Sequence, residues 1–250
     1  MNDLSGKLIL ITGASSGLGK AISQKTSSLG ARVVLLGRNE KRLKETLDSL
    51  SGEGHSYYSI DITKYELLND IIDGIVNSSG PISGFVHCAG IDKTIPFRLS
   101  KPPLFKEIFE INVFAAFEIA RIISQKKYLS PKGGSYVFLS SVLGKLGESG
   151  EVAYSASKSA LLSGVKSMAL ELSEKMIRCN CILPGCIETD MLRRLFNSIP
   201  VESKENIIKM HPLGIGKPAD VAALVSFLLS DEGKWITGAE YIIDGGYSIH

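Results

Sequence analysis

The chain of 250 residues is long enough for one large domain or two small ones, and 44% hydrophobic residues suffice for a buried core, which excludes a disordered or fibrous protein. The formal net charge of +2 excludes a general polyanion partner such as nucleic acid, so any charged ligand must be bound locally. The 25 glycines follow no repeat, which indicates that they serve particular backbone positions.

The sequence also indicates a compartment. The amino terminus shows no cationic segment followed by an apolar core and a cleavage site, and no run of about 20 apolar residues occurs, so we expect a cytoplasmic protein without a membrane partner. The cysteines are too few for a disulfide scaffold and lack the paired spacing of a zinc site. We therefore expect no bound metal and reduced thiols at Cys88, Cys179, Cys181 and Cys186.

Short apolar runs alternate with longer segments of helical period along the whole chain. The runs predict strands buried on both faces, at Lys7–Ile11, Arg32–Leu36, Tyr57–Ile60, Gly84–Cys88, Ser135–Leu139, Cys179–Leu183 and Glu240–Ile243. The segments between them predict helices, at Leu18–Leu29, Glu40–Leu50, Tyr65–Asn77, Leu104–Lys127, Ala153–Glu174 and Ala219–Leu229. This alternation predicts an α/β doubly wound, three-layer fold around a parallel sheet of about seven strands.

Two segments depart from this alternation. Asp92–Pro103, with three prolines, follows the fourth predicted strand, and the longer polar stretch Glu188–Pro218 follows the sixth. In open α/β sheets, ligands bind outside the carboxyl ends of the strands, where both segments should lie. We expect the second segment to be a substrate lid at about 188–218. Because no Pro-, Gly- or Ser-rich linker interrupts the rest, we expect a single domain over residues 1–250.

The first predicted strand runs directly into a glycine-rich turn, Thr12–Gly19, and then into a helix. Glycine allows a sharp turn and a close backbone approach to a pyrophosphate, while the helix amino terminus presents free N–H groups to the anion. Glycines in a strand-to-helix turn often serve packing alone. The position of this turn after the first strand favours a dinucleotide site, which involves Gly13, Gly17, Gly19 and the intervening Leu18.

The end of the second predicted strand indicates which dinucleotide is bound. An acidic residue there would take the ribose hydroxyls of NAD, but the sequence continues with Arg38, which suits the 2′-phosphate of NADP. The alternative is a solvated arginine at a strand end. Ser15 or Ser16 would add a hydroxyl to the same phosphate. Asp61, with Ile62 beside it, is expected at the adenine edge, although a helix cap explains Asp61 almost equally well.

Tyr154 and Lys158 lie four residues apart in a predicted helix, on one face and one turn from each other. A free tyrosine loses its proton near pH 10, and a nearby ammonium favours the phenolate and lowers the pKa. The pair therefore suits a proton donor and the group that tunes it. This spacing occurs by chance in many helices, so the two residues alone do not decide the function.

Six motifs occur in order along nearly the whole chain. They are Thr12–Gly19, Ile111-Asn112-Val113, Phe138-Leu139-Ser140-Ser141, Tyr154-Ser155-Ala156-Ser157-Lys158, Pro184-Gly185 and the closing Asp244-Gly245-Gly246. In these motifs the chain resembles the short-chain dehydrogenase/reductases, in their single-domain short form. The resemblance implies an NAD(P)-binding Rossmann domain over the whole chain.

The resemblance also implies catalytic roles. Tyr154 would be the general acid in reduction and the general base in oxidation, and Lys158 would lower its pKa and hold the nicotinamide ribose. Ser141 would hydrogen-bond the substrate oxygen, with Ser140 as the alternative. Asn112 would kink its helix and hold a water that relays protons toward Lys158.

Further positions are implied to hold the cofactor, which we expect to be NADP(H), with NAD(H) as the alternative. Ala89 and Gly90 would approach the adenosine, and the stretch after the sixth strand would meet the nicotinamide through Pro184, Gly185, Ile187 and Thr189. The full expected cofactor set is Gly13, Ser15, Ser16, Gly17, Leu18, Gly19, Arg38, Asp61, Ile62, Ala89, Gly90, Tyr154, Lys158, Pro184, Gly185, Ile187 and Thr189.

One motif departs from the family pattern. Relatives commonly read Asn-Asn-Ala-Gly after the fourth strand, whereas this chain reads His87-Cys88-Ala89-Gly90. The side-chain hydrogen bonds of the two asparagines must be lost or replaced. His87 at this place is either a catalytic base or a core histidine whose ring is satisfied by the backbone, and the second interpretation is favoured.

The resemblance implies an NADP-dependent oxidoreductase that reduces a ketone to a secondary alcohol or catalyses the reverse, most like a 3-oxoacyl-(acyl-carrier-protein) reductase. The substrate would be a small or carrier-bound ketone, and Lys132 and Lys175 are either carrier contacts or solvated side chains. The alternatives are a carbonyl, sugar or steroid ketone reductase of the same family, or a non-catalytic NADP-sensing regulator. Apolar residues surround much of two helices, Leu104–Lys127 and Ala153–Glu174, which predicts a homo-tetramer or dimer.

Overall fold

Seven strands and nine α-helices alternate in a computed structural model that describes residues 2–249. The strands are β1 (Leu8–Thr12), β2 (Arg32–Gly37), β3 (Ser56–Ser59), β4 (Gly84–His87), β5 (Gly134–Leu139), β6 (Ile177–Pro184) and β7 (Glu240–Ile243). The helices are α1 (Gly17–Ser28), α2 (Glu40–Leu47), α3 (Tyr65–Ser79), α4 (Pro102–Phe109), α5 (Ala115–Ile123), α6 (Val152–Leu172), α7 (Asp190–Ser198), α8 (Val201–Lys209) and α9 (Pro218–Leu229).

The strands form one parallel sheet in the order β3-β2-β1-β4-β5-β6-β7. The chain leaves β1 toward β2 on one side and later returns to place β4 on the other side. The carboxyl ends of β1 and β4 therefore face the crevice where doubly wound sheets bind ligands. The predicted doubly wound, three-layer fold is confirmed.

The side chains of each strand alternate between two cores, which is why the apolar runs are unbroken. In β1, Leu8 and Leu10 pack with α3, α5 and α6 on one face, and Ile9 and Ile11 pack with α1, α2 and α9 on the other. All five residues of β1 are buried. A strand of this kind is stable only between two helical layers, so the sequence of β1 by itself requires a three-layer architecture.

The region predicted as one helix, Leu104–Lys127, is interrupted. The structure has α4, then a π-helical turn at Glu110–Phe114, and then α5, which ends at Ile123. A π turn inserts one extra residue into the helix and changes the direction of its side chains. It places Asn112 fully buried under the loop that follows β4.

The segment expected to be a polar lid contains two helices, α7 and α8, that the sequence reading did not predict. Thr189 caps the first of them, since its hydroxyl accepts a hydrogen bond from the Leu192 N–H at 3.5 Å. Within residues 2–249, no helix combines the length and the apolar character that a membrane crossing needs.

Candidate active site

The glycine-rich turn forms the floor of a cavity of about 580 Å³ at the carboxyl ends of β1, β2 and β4. Gly13 has a φ of +66°, and a Cβ on it would lie 2.8 Å from the Ala89 nitrogen. Gly19 lies still closer to its neighbours, because a Cβ there would lie 2.3 Å from the Gly13 carbonyl oxygen. These two positions accept only glycine, and they bring α1, β1 and the end of β4 together.

Helix α1 begins at this turn and points its amino terminus into the cavity. Its N-cap is Ser16, and no side chain within residues 2–249 caps it. The N–H groups of the first turn are therefore available to an anion, and the helix dipole favours one. Ser15, Ser16, Gly17 and Leu18 line the cavity as predicted.

Positive charge collects at the end of the cavity next to β2. Arg38, Arg42 and Arg194 all line it, and a Cβ on Gly37 would lie 3.6 Å from the Ser15 hydroxyl oxygen. Asn39 is engaged elsewhere, since its side chain caps α2 by accepting a hydrogen bond from the Arg42 N–H at 3.0 Å. Arg38 was expected here from the sequence, whereas Arg42 and Arg194 were not.

Asp61 and Ile62 line the cavity beyond the arginines, as predicted. The Oδ1 atom of Asp61 accepts hydrogen bonds from the Thr63 N–H at 3.1 Å and from the Thr63 hydroxyl at 2.9 Å. The hydrogen bond from the Thr63 backbone holds the pKa of Asp61 below its ordinary value, with a smaller effect from Arg38. The carboxylate therefore closes a turn at Thr63 and borders the cavity. The helix-cap interpretation is wrong, because Lys64 is the N-cap of α3 and no side chain within residues 2–249 caps that helix, whereas the adenine contact stays a prediction.

A buried hydroxyl organises the end of β4. The Thr12 hydroxyl oxygen accepts hydrogen bonds from the N–H groups of Cys88 and Ala89, both at 3.2 Å, and lies 3.1 Å from His87 Nδ1. Two accepted bonds use both lone pairs, so the hydroxyl must donate to Nδ1, and the neutral ring carries its proton on Nε2. Burial lowers the pKa of His87 to about 3. His87 is thus a neutral core residue whose Nδ1 is bonded by the Thr12 side chain, and the backbone at Ile111 and Ala89 also acts on its ring.

Two consecutive serines after β5 point in different directions. The Ser140 hydroxyl donates to the Lys158 carbonyl oxygen at 2.9 Å and ties β5 to α6. The Ser141 side chain hydrogen-bonds the Tyr154 phenol instead. Of the two serines, only Ser141 therefore faces the tyrosine, in agreement with the prediction.

Lys158 lies beside the tyrosine and below the loop after β4. Its Nζ is 5.6 Å from the centre of the Tyr154 ring and donates to the Leu139 carbonyl oxygen at 2.8 Å. A Cβ on Gly90 would lie 3.5 Å from the same Nζ. Asn112 holds this loop in place, because its amide accepts from the Ile91 N–H at 2.9 Å and donates to the Ile91 carbonyl at 3.1 Å.

Burial dominates the electrostatics of this pair. It raises the pKa of the Tyr154 phenol above its ordinary value, and the carboxylates of Asp92 and Glu151 raise it further, whereas the hydrogen bond with Ser141 lowers it. Burial also lowers the pKa of Lys158 to about 8. At neutral pH the phenol therefore holds its proton, which is the state required of a general acid.

The stretch after β6 is only partly exposed to the cavity. Thr189 lines it, and its hydroxyl donates to the Ile187 carbonyl oxygen at 3.2 Å. Ile187 itself is buried and its backbone pairs with Gly216. Gly185 is required by packing, since a Cβ there would lie 2.8 Å from Asp244 Cβ. Of the residues expected to bind the cofactor, five lie outside the cavity lining: Tyr154, Lys158, Pro184, Gly185 and Ile187.

Comparisons with known proteins agree with this geometry. A family model described as enoyl-(acyl carrier protein) reductase matches residues 13–248. The chain is 33% identical to the 3-oxoacyl-[acyl-carrier-protein] reductase FabG of Thermotoga maritima, over 98% of this chain and 99% of that protein. It is 32% identical to carbonyl reductase family member 4 of Danio rerio, over 97% and 98%. A solved short-chain type dehydrogenase/reductase from Mycobacterium ulcerans superposes with a TM-score of 0.92 at 28% identity, over 99% and 92%.

The buried histidine predicts an acid-dependent loss of stability. The pKa of His87 is about 3 when folded and near 6.5 when unfolded, so the unfolded chain binds an extra proton between these values, and stability falls as pH decreases through them. Replacing His87 by Asn removes this contribution. From pH 6.5 to 4.5 the wild type should lose about 2 kcal/mol more unfolding free energy than the variant, measured by urea denaturation. Parallel losses in the two proteins would contradict this.

Proposed function

The chain belongs to the short-chain dehydrogenase/reductase family, and we propose that it is an NADP-dependent oxidoreductase that interconverts a ketone and a secondary alcohol, with Tyr154 as general acid and base. The observation that carries this proposal is the arrangement of three side chains. Ser141 hydrogen-bonds the Tyr154 phenol, and Lys158 lies beneath the same ring next to the cofactor-sized cavity.

The cavity fits a nicotinamide dinucleotide. A Cβ on Gly13 would fill the space beside Ala89, and no side chain within residues 2–249 caps the amino terminus of α1. Arginines line one end of the cavity. When bound, NADPH supplies a hydride to the carbonyl carbon. Tyr154 gives its phenolic proton to the carbonyl oxygen, and the Ser141 hydroxyl holds that oxygen in place. Lys158 stabilises the phenolate that Tyr154 becomes, and in the reverse reaction this phenolate takes the proton from the alcohol.

The preference for NADP rests on charge at the end of β2. Arg38, Arg42 and Arg194 border the cavity, and neither of the two residues directly after β2, Arg38 and Asn39, is acidic and so able to accept from ribose hydroxyls as a carboxylate. A 2′-phosphate carries nearly two negative charges that guanidinium groups bind strongly. Asp190 reduces the net charge there, since one of its oxygens lies 3.8 Å from Arg42. Asp61 also lines the cavity near Arg38, so three arginines against two carboxylates leave one net positive charge for an anion.

The substrate proposal rests on relatives rather than on surface lysines. The 3-oxoacyl-[acyl-carrier-protein] reductases among the relatives support a carrier-bound 3-ketone, and the carbonyl reductase supports a small free ketone. Lys132 precedes β5 and Lys175 precedes β6, so both lie at the edge of the sheet opposite to the site. Lys175 also donates to the Ser124 carbonyl oxygen at 3.2 Å. Neither lysine supports docking of a carrier at the active site.

We propose that the protein assembles as a homo-tetramer or dimer through α5 and α6. An open groove of about 1060 Å³ runs between these helices, and Phe117, Met168 and Leu172 line it. Phe114 is 48% exposed at its edge, and Leu170, also on α6, is 79% exposed. Burying such side chains against a second copy would remove apolar surface from water.

Removing one oxygen atom tests the role of the tyrosine. Tyr154→Phe should lower kcat for ketone reduction by about 10²–10⁴-fold, because proton transfer to the carbonyl oxygen is lost. The Kd for NADPH, measured by fluorescence titration, should change less than about threefold. Ser140→Ala, which removes the neighbouring hydroxyl that faces α6, is the matched control and should retain turnover. Unchanged turnover in Tyr154→Phe would refute the mechanism.

Removing the guanidinium tests the cofactor preference. Arg38→Ala should weaken NADPH binding by about 10–100-fold, the loss expected for hydrogen bonds to a charged group, and leave the Kd for NADH within about twofold. Arg193→Ala offers a comparison on the lid, because Arg193 pairs with Asp190 and does not line the cavity. If Arg38→Ala retained the NADPH preference, Arg38 would have no part in it.

A further inference from the structure

The loop after β4, residues 91–100, is attached to the start of α6 by contacts that the proposed mechanism does not use. The Ile95 N–H donates to the Gly150 carbonyl oxygen at 2.9 Å, and the Thr94 hydroxyl donates to Glu151 Oε1 at 2.5 Å. The Asp92 carboxyl lies close enough to the Glu151 carboxyl to raise the pKa of Glu151, and one oxygen of each, Asp92 Oδ1 and Glu151 Oε2, is buried without a hydrogen-bond partner within residues 2–249. Tyr154 follows Glu151 by three residues and so lies on the same side of the helix.

The contact between Asp92 and Glu151 joins two acids. Glu151 is only 5% exposed, and its Oε2 and Asp92 Oδ1 are buried atoms that accept no hydrogen bond from a donor among residues 2–249. Both oxygens are acceptors when ionised, and one proton placed between them would satisfy both. The contact therefore exists as a bond when the pair carries one proton and becomes a repulsion when it carries none.

We propose that Glu151 and Asp92 are positioning residues that share one proton and thereby hold the 91–100 loop against the amino-terminal end of α6, beside Tyr154. When the shared proton is lost, two buried carboxylates face each other and the attachment of the loop to α6 weakens. Glu151, which is buried and is not a catalytic residue, thereby has a positioning role. It rests on the proposed function only where substrate binding is concerned.

The surrounding charges favour the shared proton. Burial, followed by the nearby Asp92 carboxyl, raises the pKa of Glu151 to about 7, and Glu148 adds to the effect. Tyr154 faces the pair as a neutral phenol, and Lys158 is the cation that acts on Asp92. With the loop open, Glu151 would return toward its ordinary pKa near 4.3. The closed loop thus binds the extra proton between these values and loses stability as pH rises toward 7.

Limited proteolysis tests the loop without any substrate. Lys93 and Arg98 are exposed trypsin sites within it. A protease needs several residues around the cleaved bond to leave the folded structure, so cleavage is faster when the loop is free of α6. Glu151→Gln keeps an acceptor for Thr94 and supplies an N–H donor to Asp92, so it holds the loop at every pH. Cleavage of the wild type relative to this variant, each followed by mass spectrometry, should rise about tenfold from pH 6 to pH 8. Measuring the ratio cancels the pH dependence of trypsin itself.

Two more variants keep the test decisive. Asp92→Asn also replaces the shared proton with a fixed donor and should behave like Glu151→Gln, even if one of them folds poorly. Gly150→Ala should release the loop at every pH, because a Cβ there would lie 2.9 Å from Thr94 Cγ2 and Gly150 has a φ of +84°. Parallel pH profiles in the wild type and the two amide variants would overturn the proposal, as would an uncleaved Gly150→Ala loop.

A kinetic measurement links the loop to catalysis. For a ketone that the enzyme reduces, KM of the wild type should rise up to about tenfold from pH 6 to pH 8 while KM of Glu151→Gln stays flat, with kcat following the same pH profile in both. A flat wild-type KM beside pH-dependent cleavage would show that the loop does not shape substrate binding. If no ketone is reduced, the proposed function fails while the cleavage result still decides the loop contact.

Discussion

Three backbone segments meet where the strand order reverses: the glycine-rich turn after β1, the start of α1 and the end of β4. The rest of the site depends on how closely these segments approach one another. Gly13 contacts the start of the Ala89-Gly90 turn, and Gly19 packs α1 on Gly13 with no room for a Cβ. This approach fixes the amino terminus of α1 over the cavity and the end of β4 beside it. It also forces polar groups inside, where each must find a partner. The Thr12 hydroxyl is such a partner for His87 Nδ1 and for the N–H groups of Cys88 and Ala89.

The catalytic side of the crevice is built by long-range ties between helix and strand. Ser140 bonds the backbone of α6, Lys158 bonds the end of β5, and Asn112 bonds the loop after β4. These ties place a half-buried tyrosine beside a buried lysine, which keeps the phenol protonated at neutral pH and lowers the pKa of the ammonium. The same burial creates the acidic pair at Glu151. The same packing therefore determines the protonation of Tyr154, the proposed acid, and the proposed attachment of the 91–100 loop to α6.

Most of the fold could be predicted because strands buried on both faces leave an unmistakable apolar pattern. Strand β7 was predicted to the residue, whereas β6 extends beyond its prediction because Ile177 and Pro184 complete the pairing with neighbouring strands. The family resemblance implied a helix kink at Asn112, but its form, the π turn at Glu110–Phe114, was not predicted, since the helical period of the sequence continues through it. Arg194 and the contact of Asp92 with Glu151 were also missed. Both depend on segments distant in sequence that only the folded chain brings together.

Hydride transfer itself is the most direct test of the account. The purified protein should be incubated with NADPH carrying deuterium at the transferring position of the nicotinamide and with a panel of acyl-thioester, sugar, quinone and steroid ketones. The account predicts that at least one ketone yields a secondary alcohol with a single deuterium on the carbinol carbon, and that Tyr154→Phe yields almost none. If the wild type bound NADPH but labelled no product above the Tyr154→Phe background, the proposed reaction would be contradicted.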